Sequence, residues 1–123
     1  MATILVVDDS MFARLNICNM LHSAGHETEE AADGREGLEK AGIVKPDCII
    51  SDLLMPELDG IEFLAALKER KLGLPVIILT ADIQETKRRQ CLELGAAGFA
   101  YKPPQKAEIL ALVDRILGQR EDR

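Results

Sequence analysis

The sequence predicts an α/β fold built on a five-stranded, doubly wound parallel sheet, with helices on both faces of the sheet. Short β-rich runs alternate with longer segments of helical period along the chain, which is the order of repeated βαβ units. The three strongest runs, ILVV, CII and VIIL, are apolar throughout, as expected for strands that are covered on both faces. With 123 residues, of which 47% are hydrophobic and 29% charged, the chain has the size and composition of one globular domain.

The predicted strands differ in character. The second, ETEEA, is highly charged, and we assign it to an edge of the sheet because edge strands tolerate charge. The fifth, GFAY, is the weakest by composition. In chain order the predicted strands cover residues 3–7, 27–31, 48–51, 76–80 and 98–101.

A helix is predicted after each strand. The second is a short helix from about Arg35 to Ala41, and in the other four the apolar residues fall on one helical face. These four faces consist of Ala13, Ile17, Met20, Leu21 and Ala24; Ile61, Leu64 and Ala65; Ile83, Cys91 and Leu94; and Ile109, Leu112, Val113, Ile116 and Leu117. Glycines are expected where helices or turns stop, namely at Gly25, Gly34, Gly42, Gly73, Gly95 and Gly118.

Composition excludes several classes of protein. The 21 acidic and 15 basic residues give a formal charge of −6, which argues against direct nucleic-acid binding. We find neither a signal peptide nor an apolar run of the roughly 18 residues that insertion across a membrane needs. The cysteines Cys18, Cys48 and Cys91 fall inside apolar patterns, which predicts buried, reduced thiols in a cytoplasmic protein. We expect one domain over residues 1–118 and a polar tail over 119–123.

Polar side chains follow the predicted strands. Asp8 and Asp9 follow the first, Asp52 the third, Thr80 ends the fourth and Lys102 follows the fifth. Because the carboxyl ends of parallel strands meet at one edge, we expect these residues to converge there. Three carboxylates repel one another without a cation, and an all-oxygen set of ligands suits Mg²⁺ or Mn²⁺ rather than zinc. A neighbouring ammonium suggests an incoming dianion such as a phosphoryl group, and an ionised carboxylate can act as its nucleophile.

Four motifs make the chain resemble the receiver domains of response regulators, including the single-domain chemotaxis regulators. They are VVDDS at 6–10, ISDLLMPELDG at 50–60, ILTA at 78–81 and YKPP at 101–104. The resemblance implies the flavodoxin-like strand order 2-1-3-4-5. It also implies a signalling module of a two-component system rather than an enzyme. Such a module takes a phosphoryl group from a sensor histidine kinase or phosphotransfer protein and controls an output protein that docks on helix 4, strand 5 and helix 5.

The resemblance also implies roles for the carboxylates. Asp52 would be the phosphoacceptor. Asp9 and Asp52 would bind Mg²⁺ directly together with the backbone carbonyl of Leu54, while Asp8 would hold a metal-bound water. These roles agree with the general chemistry of phosphoryl transfer, which proteins catalyse mainly by positioning and charge neutralisation.

The remaining roles concern the phosphoryl oxygens and the conformational switch. Thr80 and Lys102 would each contact a phosphoryl oxygen, and Thr80 with Phe99 would form the switch. Phe99 fills space but lacks the hydroxyl of the tyrosine that many chemotaxis relatives carry there. Ala81 is small enough to leave the phosphoryl group accessible to water, and Asp82 would add negative charge beside it.

Three other functions stay open at this point. A phosphohydrolase of the haloacid-dehalogenase type also phosphorylates an aspartate at a strand end, but it needs a second aspartate where this chain has Leu54. An adaptor with a vestigial pocket would not need all five polar site residues. Flavin binding of the flavodoxin kind requires a Ser/Thr/Gly-rich loop after the first strand, and the segment DDSMFA does not have that composition.

Simpler structural roles account for other polar residues. Ser10 is predicted to cap the first helix and Asp59 to cap the third. His22 and His26 are four residues apart, but Gly25 is expected to end the helix between them, which argues against a metal-binding pair. The basic run 87–89 is either a solvated helix face or part of the output surface.

Overall fold

The computed structural model, which describes residues 2–82 and 84–121, contains one parallel sheet. Its strands are β1 (Thr3–Val7), β2 (Glu27–Ala31), β3 (Cys48–Ser51), β4 (Val76–Thr80) and β5 (Gly98–Tyr101). They are hydrogen-bonded in the order β2-β1-β3-β4-β5. All five predicted strand ranges are confirmed, and so is the strand order that the resemblance implied.

The helices are α1 (Met11–Ser23), α2 (Gly34–Val44), α3 (Gly60–Glu69), α4 (Glu85–Glu93) and α5 (Lys106–Glu121). Each predicted helix is therefore present, but Ile83, which we assigned to the fourth apolar face, lies outside the described residues.

Two glycines were wrongly predicted as stops. Gly42 and Gly118 lie inside α2 and α5, where a side chain at either position would meet open space. A helical glycine costs only about 1 kcal/mol relative to alanine, which the rest of a packed helix can offset. The stop of α2 is Lys45, which adopts a left-handed conformation at φ 49° and donates its amide to the Ala41 carbonyl. The segment predicted as a polar tail is also helical as far as Glu121.

Side-chain caps fix the start of three helices. The Ser10 hydroxyl accepts a hydrogen bond from the Ala13 amide at 3.2 Å, as predicted. Asp33 accepts from the Glu36 amide at 2.8 Å. The predicted cap at Asp59 is confirmed as a capping box, in which Asp59 and Glu62 each accept the other's backbone amide. Such caps contribute about 1 kcal/mol each and anchor the loops that leave the carboxyl ends of the strands.

Alternate residues of each inner strand pack into two separate hydrophobic cores, one on each face of the sheet. Ile4 and Val6 of β1 pack with α1 and α5, whereas Leu5 and Val7 pack with α2, α3 and α4. Helices therefore cover both faces of the sheet, as predicted. Among the largest buried side chains is Phe63, which is fully covered.

The three cysteines are buried, as predicted. Burial raises the pKa of the Cys18 and Cys91 thiols, which keeps both protonated at neutral pH. The edge position of β2 is also confirmed, and its residues Glu27, Glu29 and Glu30 are exposed. Within the described ranges, every helix is too short or too polar to cross a bilayer.

The start of α2 makes a close contact that a larger residue cannot keep. A Cβ atom on Gly34 would lie 2.2 Å from the carbonyl oxygen of Leu58, in the loop before α3. Gly34→Ala should therefore lower the free energy of unfolding by about 1–3 kcal/mol through overpacking, measured by urea denaturation.

The matched control for this substitution is Gly42→Ala in the same helix. No atom lies within 4 Å of a Cβ at Gly42, and alanine favours helix by up to about 1 kcal/mol. We expect this control to be as stable as the wild type or more stable. Equal stability of the two variants would contradict the role assigned to the Gly34–Leu58 contact.

Candidate functional site

The register of the sheet brings the polar strand ends together. Val7 of β1 lies opposite Ser51 of β3, so Asp8 and Asp52 follow directly from paired residues. The Asp52 amide donates to the Val7 carbonyl at 2.9 Å, which continues the ladder into the site. At the other side the Lys102 amide donates to the Thr80 carbonyl at 2.9 Å.

One ammonium group joins two of the strand ends. Nζ of Lys102 lies 2.7 Å from Oδ2 of Asp8 and 3.0 Å from Oδ2 of Asp52. Both aspartates are buried, at 5% and 9% exposure. Burial by itself lowers the pKa of Lys102, but the hydrogen bonds to Asp8 and Asp52 outweigh it and raise that pKa above its usual value. Lys102 is therefore a fully charged donor at neutral pH.

Asp9 completes a cluster of three carboxylates. Single oxygens of Asp8, Asp9 and Asp52 lie within 4.8 Å of one another, with Asp9 exposed to solvent. Three negative charges against the one positive charge of Lys102 leave a formal charge of −2. This all-oxygen set with an open side fits a hard divalent cation such as Mg²⁺, which keeps several waters when bound.

Backbone amides hold the two buried carboxylates in place. Oδ1 of Asp8 accepts from the Ser10 amide at 2.9 Å. Oδ1 of Asp52 accepts from the Leu53 amide at 2.7 Å and more weakly from the Leu54 amide at 3.4 Å. The Oδ2 atoms of both aspartates thereby face Lys102. Leu54, two residues after Asp52, is 52% exposed to solvent.

Thr80 is the last residue of β4, and Asp82 follows two residues later. Thr80 is completely buried, and its hydroxyl accepts from the Asp82 amide at 3.1 Å. A hydroxyl that accepts in this way can still donate its own proton. Ala81 is exposed.

The charge of Asp82 is already matched within the protein. Its carboxylate binds the Lys87 ammonium at 2.9 Å and accepts from the Gln84 amide at 3.0 Å. These bonds lower the pKa of Asp82. That Asp82 adds negative charge beside the site stays a prediction, and in the structure this carboxylate is paired with Lys87.

The aromatic residues of β5 lie beside β4, with Tyr101 opposite Thr80 in the sheet. Phe99 is half-buried against the core on the α2–α4 face, and its ring centroid lies 5.2 Å from that of Tyr101. The guanidinium of Arg88 sits 5.8 Å from the Phe99 ring centroid, within the range of a cation–π contact. Tyr101 is 40% exposed. Two residues of the basic run 87–89 thus have partners: Lys87 binds Asp82, and Arg88 lies over the Phe99 ring of β5.

Sequence reasoning missed one residue of this region, Arg14. Its guanidinium donates to the Asp8 carbonyl at 2.6 Å and pairs with Glu30 at 3.0 Å. The helical period could have indicated that Arg14 is covered, because it falls on the same helical face as Ile17, Cys18 and Leu21, the buried residues of α1. The predicted face is confirmed at Ile17 and Leu21, which are buried, and at Met20, which packs against the core. Ala24 is exposed because it lies at the C-cap, after the end of α1.

The two histidines do not share a helical face. His22 lies in the last turn of α1, and the chain then turns at Gly25 with φ +86° before reaching His26. Nε2 of His22 is hydrogen-bonded to the Thr28 hydroxyl at 2.9 Å.

Near the site, the peptide bond between Lys102 and Pro103 is cis.

Comparison with known proteins gives matches over nearly the whole chain. Residues 4–114 match the family described as the response regulator receiver domain. The sequence is 40% identical over 118 residues to the alkaline phosphatase synthesis transcriptional regulatory protein PhoP of Bacillus subtilis, covering 96% of this chain and 49% of that protein. It is 33% identical to the chemotaxis protein CheY of Halobacterium salinarum, covering 93% of this chain and 95% of that protein.

Solved structures agree with the sequence matches. The chemotaxis protein CheY4 of Vibrio cholerae has a TM-score of 0.88 and 38% identity, covering 95% of this chain and 99% of that one. This chain spans about half or less of the length of several longer relatives, among them PhoP and a protein-glutamate methylesterase/protein-glutamine glutaminase of Clostridium acetobutylicum.

Loss of the bridging ammonium should destabilise the fold when no divalent cation is present. In chelator at pH 7.5, Lys102→Met should lower the free energy of unfolding by about 2 kcal/mol, because two buried carboxylates lose a charged donor. Since the pKa of Lys102 is raised above 10.5, the difference from wild type should stay constant between about pH 7 and 10. It should shrink only as the lysine deprotonates at still higher pH.

The control is Lys87→Met, which breaks a pair with the single carboxylate of Asp82 in a more exposed setting. It should cost no more than about 1 kcal/mol. Urea denaturation of both variants at several pH values makes the comparison. A Lys102→Met protein as stable as the wild type would show that the bridge contributes little.

Proposed function

This chain belongs to the response regulator receiver domain family, and on that premise we propose that Asp52 is its phosphoacceptor. Receiver domains act in two-component signalling, where histidine kinases or phosphotransfer proteins supply the phosphoryl group. The observation that supports the assignment is the Lys102 bridge together with the strand order. Of the two carboxylates that the ammonium contacts, Asp52 is the one that follows β3, the middle strand of the sheet.

In the proposed reaction a carboxylate oxygen of Asp52 attacks the phosphorus of a phosphohistidine. A new O–P bond forms, the N–P bond breaks, and its electron pair returns to the imidazole nitrogen of the donor. Lys102 neutralises charge that builds on one phosphoryl oxygen, and the Thr80 hydroxyl donates to another. The backbone amides of Leu53 and Leu54 keep the Asp52 carboxylate oriented for an in-line approach.

Asp9, Asp52 and the Leu54 carbonyl are proposed to hold Mg²⁺, with Asp8 holding one of its waters. Family members generally bind Mg²⁺ at an acidic pocket, and the formal charge of −2 in this cluster favours a divalent ion. When bound, the ion supplies charge neutralisation for the transferring phosphoryl group. Mn²⁺ fits the same oxygen ligands.

The proposed output surface comprises α4, β5 and α5. Its exposed groups include Leu92 and Tyr101, with Arg88 stacked near Phe99. Thr80 and Phe99 are proposed as the switch. The support for this is that Thr80 ends β4 and that its carbonyl accepts a hydrogen bond from the amide of Lys102, which follows β5. Ala81 leaves the phosphoryl group accessible to water. A cytoplasmic location, favoured by three buried thiols, stays a prediction.

Phosphorylation of Asp52 is tested with acetyl phosphate and Mg²⁺. Mass spectrometry should find one acyl phosphate per chain at Asp52, stable in acid and labile in base, and none in Asp52→Asn. Lys102→Met and Thr80→Ala should label at least about tenfold more slowly, since each removes one group that stabilises the transition state.

The matched control is Asp33→Asn, because asparagine caps a helix as well as aspartate does. It should label as the wild type does. A wild-type chain that takes no label at Asp52, or an Asp52→Asn chain that labels normally, would contradict the proposal. Steady hydrolysis of general phosphate esters far beyond one equivalent would instead favour a phosphohydrolase.

The switch is tested separately with beryllofluoride, a stable analogue of the phosphoryl group, and Mg²⁺. We expect amide NMR shifts at Thr80, Ala81, Phe99 and Lys102 that extend into α5, because a group bound to Asp52 must change the bonds of Lys102. Asp52→Asn should show none of them. Shifts confined to the acidic cluster, with Phe99 unchanged, would contradict the switch.

A further inference from the structure

We infer that Arg14 is a positioning residue for Asp8 and Asp9, acting on their backbone. The inference rests on the proposed function, in which both carboxylates serve a cation site. Arg14 lies near the start of α1, four residues after the cap Ser10. Its side chain is only 15% exposed, and arginine is rarely buried to that extent unless it is paired.

Arg14 connects the turn after β1 to a neighbouring strand. Nη1 donates to the Asp8 carbonyl at 2.6 Å, and Nε donates to the Glu30 carboxylate at 3.0 Å. Glu30 lies on β2 opposite Val6 of β1. Its carbonyl oxygen in turn accepts a hydrogen bond from Lys40 of α2. Arg14 is therefore bound to a residue of β2 whose backbone also accepts a hydrogen bond from α2.

The Asp8 carbonyl is the point at which this connection reaches the site. The Asp8 amide still donates to the sheet, at 3.1 Å from the Ala31 carbonyl, but the chain then leaves for α1. Because a peptide group is planar, fixing the Asp8 carbonyl also fixes the plane that joins Asp8 to Asp9. The Ser10 amide then holds Oδ1 of Asp8 at 2.9 Å. Arg14 thus sets the directions in which both carboxylates leave the backbone.

Arg14 does not serve as a second counter-ion for the acidic cluster. Glu30, whose side chain is 50% exposed, already matches its charge, and its contact with Asp8 is to the carbonyl oxygen. Because half of the Glu30 side chain is exposed to solvent, its ion pair with Arg14 contributes little to global stability. Groups that orient metal ligands, in contrast, typically change metal affinity by about 10–100-fold when they are removed.

The test compares Arg14→Ala with Arg115→Ala. Arg115 also donates from a helix to a backbone carbonyl, that of Ala97 at 3.0 Å, but it does so before β5, at the opposite end of the strands from the site. Calorimetric titration with Mg²⁺ should show about tenfold weaker binding for Arg14→Ala and less than about twofold for Arg115→Ala. Arg14→Lys can reach only one of the two partners and should recover part of the affinity.

Unchanged Mg²⁺ affinity in Arg14→Ala would overturn the inference, and so would equal losses in the two alanine variants. If Arg14→Ala does not fold, Arg14→Lys takes its place against Arg115→Lys. If Mg²⁺ binds Arg14→Lys less than about twofold more weakly than it binds the wild type, that result would count against the inference.

A second measurement needs no metal. Amide hydrogen exchange of the metal-free protein, followed by NMR, reports the Ser10 amide that binds Asp8. Exchange at Ser10 should be at least about tenfold faster in Arg14→Ala than in the wild type or Arg115→Ala. Unchanged exchange would contradict the positioning role. A wild-type chain that binds no Mg²⁺ and takes no label at Asp52 would refute the proposed function instead, and the exchange result would still stand separately.

Discussion

The hydrogen bonds from the Lys102 ammonium to Asp8 and Asp52 are the interaction on which the site depends. They join residues that follow β1, β3 and β5, and so they connect the sheet from β1 to its edge strand β5 at the carboxyl ends of the strands. Without this donor, three carboxylates would face one another in a largely buried setting, where repulsion is weakly screened. The register of the sheet brings Asp8 and Asp52 close together, and the positive charge of Lys102 offsets their mutual repulsion.

The same bridge gives the proposed chemistry a mechanical consequence. Lys102 has to share its three donors between Asp8, Asp52 and any phosphoryl oxygen that arrives. Because its backbone amide also donates to the Thr80 carbonyl, a change in the ammonium's partners is transmitted to the β4–β5 pair. Phe99 and Tyr101 lie on that pair, beside Arg88. The chemistry at Asp52 and the surface proposed for output are thus connected by one side chain and one strand.

The strands and the convergence of the site could be predicted from the sequence, because both follow from local pattern and from the geometry of parallel sheets. Continuous apolar runs marked the inner strands, and the residues after them had to meet at one edge. The helix ends were harder, since Lys45 takes a left-handed conformation that sequence favours at glycine. The pair Arg14–Glu30 was missed because its partners lie on different elements, so the helical register of Arg14 indicates burial but not which carboxylate it binds. The pair Lys87–Asp82 was missed because it depends on the path of the loop before α4, which the sequence pattern does not predict.

The acidic edge strand β2 has a consequence for how copies of this domain can meet. Within the sheet β2 is paired with β1 alone, and edge strands of this kind invite continuous intermolecular sheets. Here such an addition would set the glutamates at 27, 29 and 30 beside the same ladder of a second molecule. The resulting like-charge contact penalises extension of the sheet at β2, so the glutamates protect this edge against strand pairing between molecules.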